Sequence, residues 1–307
     1  MHSPVRTTFR RISLPIAVIS VATLLGSLVV VTNSLDAVAT TTPTGSGPVN
    51  VLYAGSLVTV IENSVGPAFQ KATGYDVSGF SGGSDNLASQ IKGGIEKGDV
   101  FISASPTVNT ELEGLANGNW VAWYATFAVS PLEIGYNPNS SFAKNFKTKP
   151  WYDVITKPGL QLGRTDPATD PKGVLAVEAL HKAANLFHNP ALKAITTSTA
   201  DVFPEETLVG RLQAGQLDAG FFYAVEASVA KIPTVSLGSK FKYHATYTIA
   251  VLNGAPDESA AVAFVSFLLG REGAKILAKS GLTLTKVSVT GSRSAVPKAL
   301  RAALNVK

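Results

Sequence analysis

The segment that most restricts how this chain can fold is Val49-Asn-Val-Leu-Tyr-Ala-Gly55-Ser56-Leu, where a short apolar run empties into Gly-Ser and then into a helix-like stretch. A strand that turns straight into a helix commits the chain to an α/β arrangement, because the helix must bury its apolar stripe on the sheet the strand belongs to. The same turn aims backbone N–H groups and a hydroxyl at one spot, and that spot attracts anions. A second turn of this kind, Ser81-Gly-Gly-Ser84-Asp-Asn, follows about one strand-helix-strand unit later. Two such turns facing one crevice make an oxyanion cradle.

Around these turns, residues 49–54, 75–80 and 99–102 read as strands, with helices over 57–72 and 85–95 between them. That order predicts a parallel sheet with its ligand crevice at the carboxyl ends of the strands. A middle block follows. Residues 127–136 are extended, 160–164 form a short strand, 173–188 are helical after Pro171, and 207–214 form a helix closed by Gly215. Asp218-Ala-Gly-Phe-Phe-Tyr223 reads as a buried strand. The chain then returns to its first domain, with a strand at 243–252 and Val262, Val265 and Leu269 at helical spacing before Gly270. The tail from 286 onward shows no clear pattern.

Composition narrows the function classes. Of 307 residues 45% are hydrophobic and 15% charged, enough for a substantial core. The net charge of +5 is partly N-terminal, since residues 1–39 carry Arg6, Arg10 and Arg11 against Asp36 alone. The remaining basic residues are scattered, which argues against a nucleic-acid partner. With no cysteine, disulfides, thiolate metal sites and a lipid-modified cysteine are excluded, and four histidines at no ligand spacing argue against zinc. Arg6, Arg10 and Arg11 precede an uncharged run over 12–31, and Ala37-Val38-Ala39 is a small-x-small cleavage site. Residues 1–39 are therefore expected to be a signal peptide or an uncleaved N-terminal anchor, and 40–48 a linker. Either outcome places the rest outside the cytoplasm.

Six motifs in order, Leu-Tyr-Ala-Gly-Ser56-Leu, Gly83-Ser84, Gly98-Asp-Val-Phe-Ile-Ser-Ala104, Asp166-Pro-Ala-Thr-Asp170-Pro-Lys-Gly173, Leu217-Asp-Ala-Gly-Phe-Phe-Tyr223 and Ala263-Phe-Val-Ser-Phe-Leu-Leu-Gly-Arg-Glu-Gly273, resemble the molybdate/tungstate-binding proteins that feed ABC importers, of the ModA/WtpA type. The resemblance covers about 49–282. It implies a two-lobed periplasmic-binding-protein fold of type II, each lobe a mostly parallel sheet flanked by helices, joined by a two-strand hinge near 127–135 and 243–249. The lobes would be 49–128 plus 245–307, and 129–244.

By the same resemblance, Ser56, Ser84 and Tyr223 match family residues whose hydroxyls hold the oxyanion. Read without the family, the serines are helix caps and Tyr223 a packed ring. Asp170 and Glu205 match two carboxylates that approach the metal of the bound oxyanion in the tungstate-type branch. In the other branch the N–H groups at Lys172 and Glu205 contribute instead, and both readings stay open. Two carboxylates beside a dianion repel it unless the metal accepts them as ligands or they are protonated. Sulfur offers no such coordination, so carboxylates lining the site would favour molybdate or tungstate over sulfate. Asp166 is an alternative partner by register. Asp99 and Asp218 read as structural, Lys92, Lys97 and Arg211 as solvated charges, and His181 and His188 as surface residues. The sequence departs from the tungstate-type pattern at Asp85-Asn86 and in a shorter stretch between Asp170 and Glu205.

The resulting expectation is an exported, monomeric solute-binding protein, without cofactor, that captures molybdate or tungstate for an ABC transporter permease. It would touch the membrane only through its N-terminal segment or that permease. The alternatives are sulfate, a ferric ion, or a tethered sensor on the same fold. A ferric site is weakened because Tyr223 has no adjacent tyrosine. An enzyme would need a base paired to a nucleophile, and no histidine lies in the candidate loops.

Overall fold

The computed structural model describes residues 45–306, so the expected signal or anchor at 1–39 and the first part of the 40–48 linker lie outside the described residues. The strands are β1 (Pro48–Ala54), β2 (Asp76–Gly82), β3 (Val100–Ser103), β4 (Trp123–Tyr136), β5 (Leu162–Gly163), β6 (Ala219–Tyr223), β7 (Thr234–Ser236), β8 (His244–Val251) and β9 (Thr283–Gly291). They join in the order β2-β1-β3-β8-β4-β6-β5, and β7 and β9 also pair with β4.

The first unit forms as expected, with β1 parallel to both β2 and β3. β1 is buried on both faces: Val49, Val51 and Tyr53 enter one cluster and Leu52 another, as in a central parallel strand. The expectation of mostly parallel sheets is corrected. Besides the β1 ladders only β5 and β6 run parallel, whereas β3/β8 and every pairing of β4 are antiparallel. The reason is topological. β4 and β8 run in opposite directions through the middle of the sheet, and an apolar pattern along one strand carries no information about its neighbour's direction.

β4 links two sets of partners. Its pairing with β8 ends at Pro131 opposite His244, and its pairing with β6 begins at Leu132 opposite Tyr223. Proline has no N–H for the ladder, so it suits a position where the strand changes neighbours. β4 and β8 fall where the two extended hinge segments were expected.

Two local differences have physical causes. The helix expected over 57–72 is divided into a 3-10 turn Gly55–Leu57, a short helix Val58–Val60, a π segment Ile61–Val65 and a helix Gly66–Thr73. Pro67 has no N–H to return to Asn63, so a regular ladder cannot run through it. β9, in the tail that showed no pattern, lies along β4 with mostly exposed residues, and only Val287 and Val289 pack on the core. So exposed an edge strand carries little periodic signal. Among the described residues no helix is long and apolar enough to cross a membrane.

Candidate functional site

The carboxyl ends of β1 and β2 deliver the two serines. Ser56 lies in the turn Gly55–Leu57 and Ser84 opens the helix Ser84–Lys92, both buried. Neither hydroxyl caps its helix. Ser56 Oγ accepts a hydrogen bond from the Tyr247 phenol at 2.9 Å, and Ser84 Oγ accepts one from the Ala104 N–H at 3.1 Å. A serine hydroxyl has one proton and two lone pairs, so an oxygen held as acceptor by the protein keeps its proton for another partner. Glycine precedes each serine because the opposite side of the crevice comes too close for a side chain. A Cβ at Gly55 would sit 2.7 Å from Glu205 Oε2, and one at Gly83 would collide with the Thr169 carbonyl.

The facing side is charged. Asp170 caps the helix Pro171–Leu186, its Oδ1 accepting the Lys172 N–H at 2.6 Å, while its Oδ2 is buried with no hydrogen-bond partner among the described residues. Lys172 Nζ reaches the two Glu226 oxygens at 2.8 and 3.0 Å and Glu205 Oε1 at 3.3 Å. Glu205 begins the helix Glu205–Gln213 and accepts the Ser56 N–H at 3.1 Å. Glu226 accepts the Tyr223 N–H at 2.8 Å from the start of the helix Ala224–Ala230. The Tyr223 ring meets the Tyr247 ring edge-on with centroids 6.3 Å apart. These contacts close into a ring: Ser56, Glu205, Lys172, Glu226, Tyr223, Tyr247 and back to Ser56. The Tyr223 hydroxyl, like Asp170 Oδ2, is buried and unpartnered among the described residues.

Burial sets the charge state. It raises Asp170 to about 6, with Lys172 pulling the other way. It raises Glu205 further, to about 8, with Asp170 adding repulsion. The two carboxyls titrate as a coupled pair, and their mutual repulsion favours a proton held between them over two buried charges. Burial alone would lower Lys172, but Glu226, Glu205 and Asp170 outweigh it and hold the ammonium above its ordinary value. Burial also raises Glu226 and lifts the Tyr223 and Tyr247 phenols well above their ordinary range. Both phenols are therefore proton donors at any physiological pH.

The structure thus brings together Ser56, Asp170, Lys172, Glu205 and Tyr223. Ser84 joins through Gly83, where a Cβ would lie 3.1 Å from that of Asp170. The Lys172 N–H, expected to face the anion, is instead taken by Asp170, and it is the Lys172 ammonium that enters the cluster. Asp166, the alternative by register, is half-buried on the wall of the neighbouring cleft, where its carboxylate accepts the Ala168 N–H. Asp99 holds Asn50 and Asp257, and Asp218 holds Ser140 and Gln161, both structural. Lys92, Lys97, His181 and His188 are exposed, whereas Arg211, expected to be solvated, is half-buried over the Phe203 ring. Sequence reading missed Tyr247 and Glu226. Glu226 stands three residues after Tyr223, the spacing of a capping box, which was available as a signal. A cleft of about 390 Å³ opens onto the cluster from outside, lined by Gly83, Asn86, Thr165, Asp170, Phe203 and Glu205 among others.

A family model described as bacterial extracellular solute-binding protein matches residues 49–283. An uncharacterized solute-binding protein of Petrotoga mobilis is 26% identical over 77% of this chain and 83% of its own length. The molybdate/tungstate-binding protein of Thermococcus kodakarensis is 23% identical over 59% of this chain, and the match spans 64% of that protein. Among solved structures, the periplasmic molybdate-binding protein of Azotobacter vinelandii superposes with a TM-score of 0.61 at 18% identity, covering 77% of this chain and 99% of that one. That likeness identifies the fold as that of the periplasmic binding proteins. These relatives are solute-binding proteins, not enzymes.

Proposed function

Because this chain belongs to the bacterial extracellular solute-binding proteins, we propose that it captures molybdate or tungstate outside the cytoplasm and delivers it to the permease of an ABC importer. The observation that carries this reading is the Tyr223 hydroxyl, a buried donor with no partner among the described residues, in a cluster with a serine whose oxygen is already held as acceptor. Buried polar atoms are nearly always paired, so such a group calls for a polar guest. Three hydroxyls, on Ser56, Ser84 and Tyr223, supply donors for the oxygens of a tetrahedral dianion. The similarity to the molybdate/tungstate-binding protein of Thermococcus supports the same ligand class.

The acidic side decides which dianion. Asp170 and Glu205 repel any anion, but a molybdenum or tungsten centre can take carboxylate oxygens as further ligands and sulfur cannot. In this reading 49–128 plus 245–307 and 129–244 act as two lobes that close on the guest about β4 and β8. Closure is favoured only as far as the guest binds the closed form better than the open one. The chain works as a monomer, with the segment at 1–39 as export signal or anchor.

Equilibrium dialysis against molybdate or tungstate, with metal analysis of the retained protein, tests the proposal. One metal per wild-type chain, lost in Ser56→Ala/Ser84→Ala, is the expected result. Retention unaffected by the double substitution would place the guest elsewhere.

A further inference from the structure

We propose that Tyr247 is a positioning residue for the bound anion: from β8 its phenol holds the Ser56 oxygen as an acceptor and so directs the Ser56 proton at the guest. The inference rests on the oxyanion reading above and assigns a determinant of affinity outside the residues that touch the ligand.

Three observations carry it. The first is the hydrogen bond itself, from the Tyr247 hydroxyl to Ser56 Oγ at 2.9 Å, between two buried residues 191 positions apart. The Ser56 N–H is meanwhile fixed by Glu205 from the other side. A free serine hydroxyl rotates among its staggered wells and can present a lone pair to an approaching anion. With Tyr247 donating to the oxygen, the orientation left to the proton points away from the phenol.

The second observation is that the sheet is distorted at this residue. The β4–β8 register slips between Thr126 and Ala128: Thr126 faces Thr248, Ala128 faces Tyr247, and Phe127 is left over as a bulge. The β4–β9 ladder slips at the same place. Bulges bend a strand and re-aim side chains, and they recur beside functional sites.

The third is that the ring is buried between two other aromatic rings. Phe127, the bulged residue, lies with its ring centroid 6.3 Å away, and Tyr223 lies edge-on at 6.3 Å. Burial, which lifts the phenol well above its ordinary range, keeps it a donor.

The test is a double-mutant cycle on the full-length protein, titrating wild type, Tyr247→Phe, Ser56→Ala and the double variant with sodium molybdate by calorimetry. Tyr247→Phe keeps the packed ring, and the thermal midpoint of each ligand-free form checks that it folds. A residue acting through Ser56 weakens binding roughly tenfold when Ser56 is present and less than about twofold when it is alanine. The same loss in both backgrounds overturns the inference, because Tyr247 then contacts the guest itself or merely supports the fold. No loss in either background also overturns it. Wild type that binds neither molybdate nor tungstate removes the oxyanion reading and this inference together, whereas wild-type binding with an additive cycle removes the inference alone.

Discussion

On one side of the crevice Ser56 and Ser84 sit in Gly-Ser turns at the ends of two neighbouring parallel strands, neutral, with their oxygens already satisfied by Tyr247 and Ala104. On the other, Asp170, Lys172, Glu205 and Glu226 come from the starts of three helices, buried, with three carboxyl groups set against a single ammonium. The serine side is inexpensive to fold and offers donors to any anion. The charged side is costly without its internal pairing, and under the proposed function its carboxyls are what tells one dianion from another. Affinity and discrimination are therefore expected to separate between the two sides, and so are ligand binding and stability.

The largest effect tests the stability half of this contrast. Lys172→Met leaves Glu226 without its buried counter-charge, a change that costs about 3–5 kcal/mol. Urea unfolding of the ligand-free protein should show that loss, and Lys172→Met/Glu226→Leu should recover most of it. If Lys172→Met destabilises no more than Ser56→Ala, the two sides do not differ as described.

Next comes binding. Ser56→Ala and Ser84→Ala should each weaken molybdate binding by about 1–3 kcal/mol, the value of a donor to a charged acceptor, while leaving the unfolding midpoint nearly unchanged. A serine substitution that lowers the midpoint as much as it weakens binding would blur the division.

The charged side also carries a pH dependence. In the folded chain Asp170 and Glu205 titrate near 6 and 8, above their ordinary values, so between about pH 4 and 8 the folded state holds protons that the unfolded chain has released. Stability of the ligand-free protein should be fullest at the acidic end of that window and fall as pH rises through 6 to 8. Glu205→Gln should flatten the upper part of the curve. Thermal unfolding at stepped pH would show it, and a midpoint that climbs from pH 6 to 8 would reverse the assigned charge states.

The same contrast explains what the sequence made legible. Ser56 and Ser84 are flanked by glycine within one strand-turn-helix unit, so a local pattern announces them. Asp170 and Glu205 needed family likeness, because nothing near either residue says that 35 positions of chain bring them together. Lys172 was expected to act through its N–H. Its ammonium was out of view because an ion pair with Glu226, 54 residues away, is a product of tertiary packing. Tyr247 looked like one more residue of an alternating strand, since the bulge at Phe127 that faces it exists only in the ladder. Strand order was legible where crossovers are short and not where β4, β8 and β9 meet from distant parts of the chain.

Under the proposed function, the carboxyl pair opposite the serines makes the crevice selective for a metal oxyanion. Calorimetric titration of the wild-type protein with molybdate, tungstate and sulfate under one set of conditions tests it most directly. Saturable binding of one molybdate or tungstate per chain is expected, with sulfate weaker by well over an order of magnitude and that gap collapsing in Asp170→Asn/Glu205→Gln. Equal affinity for sulfate in the wild type would contradict it.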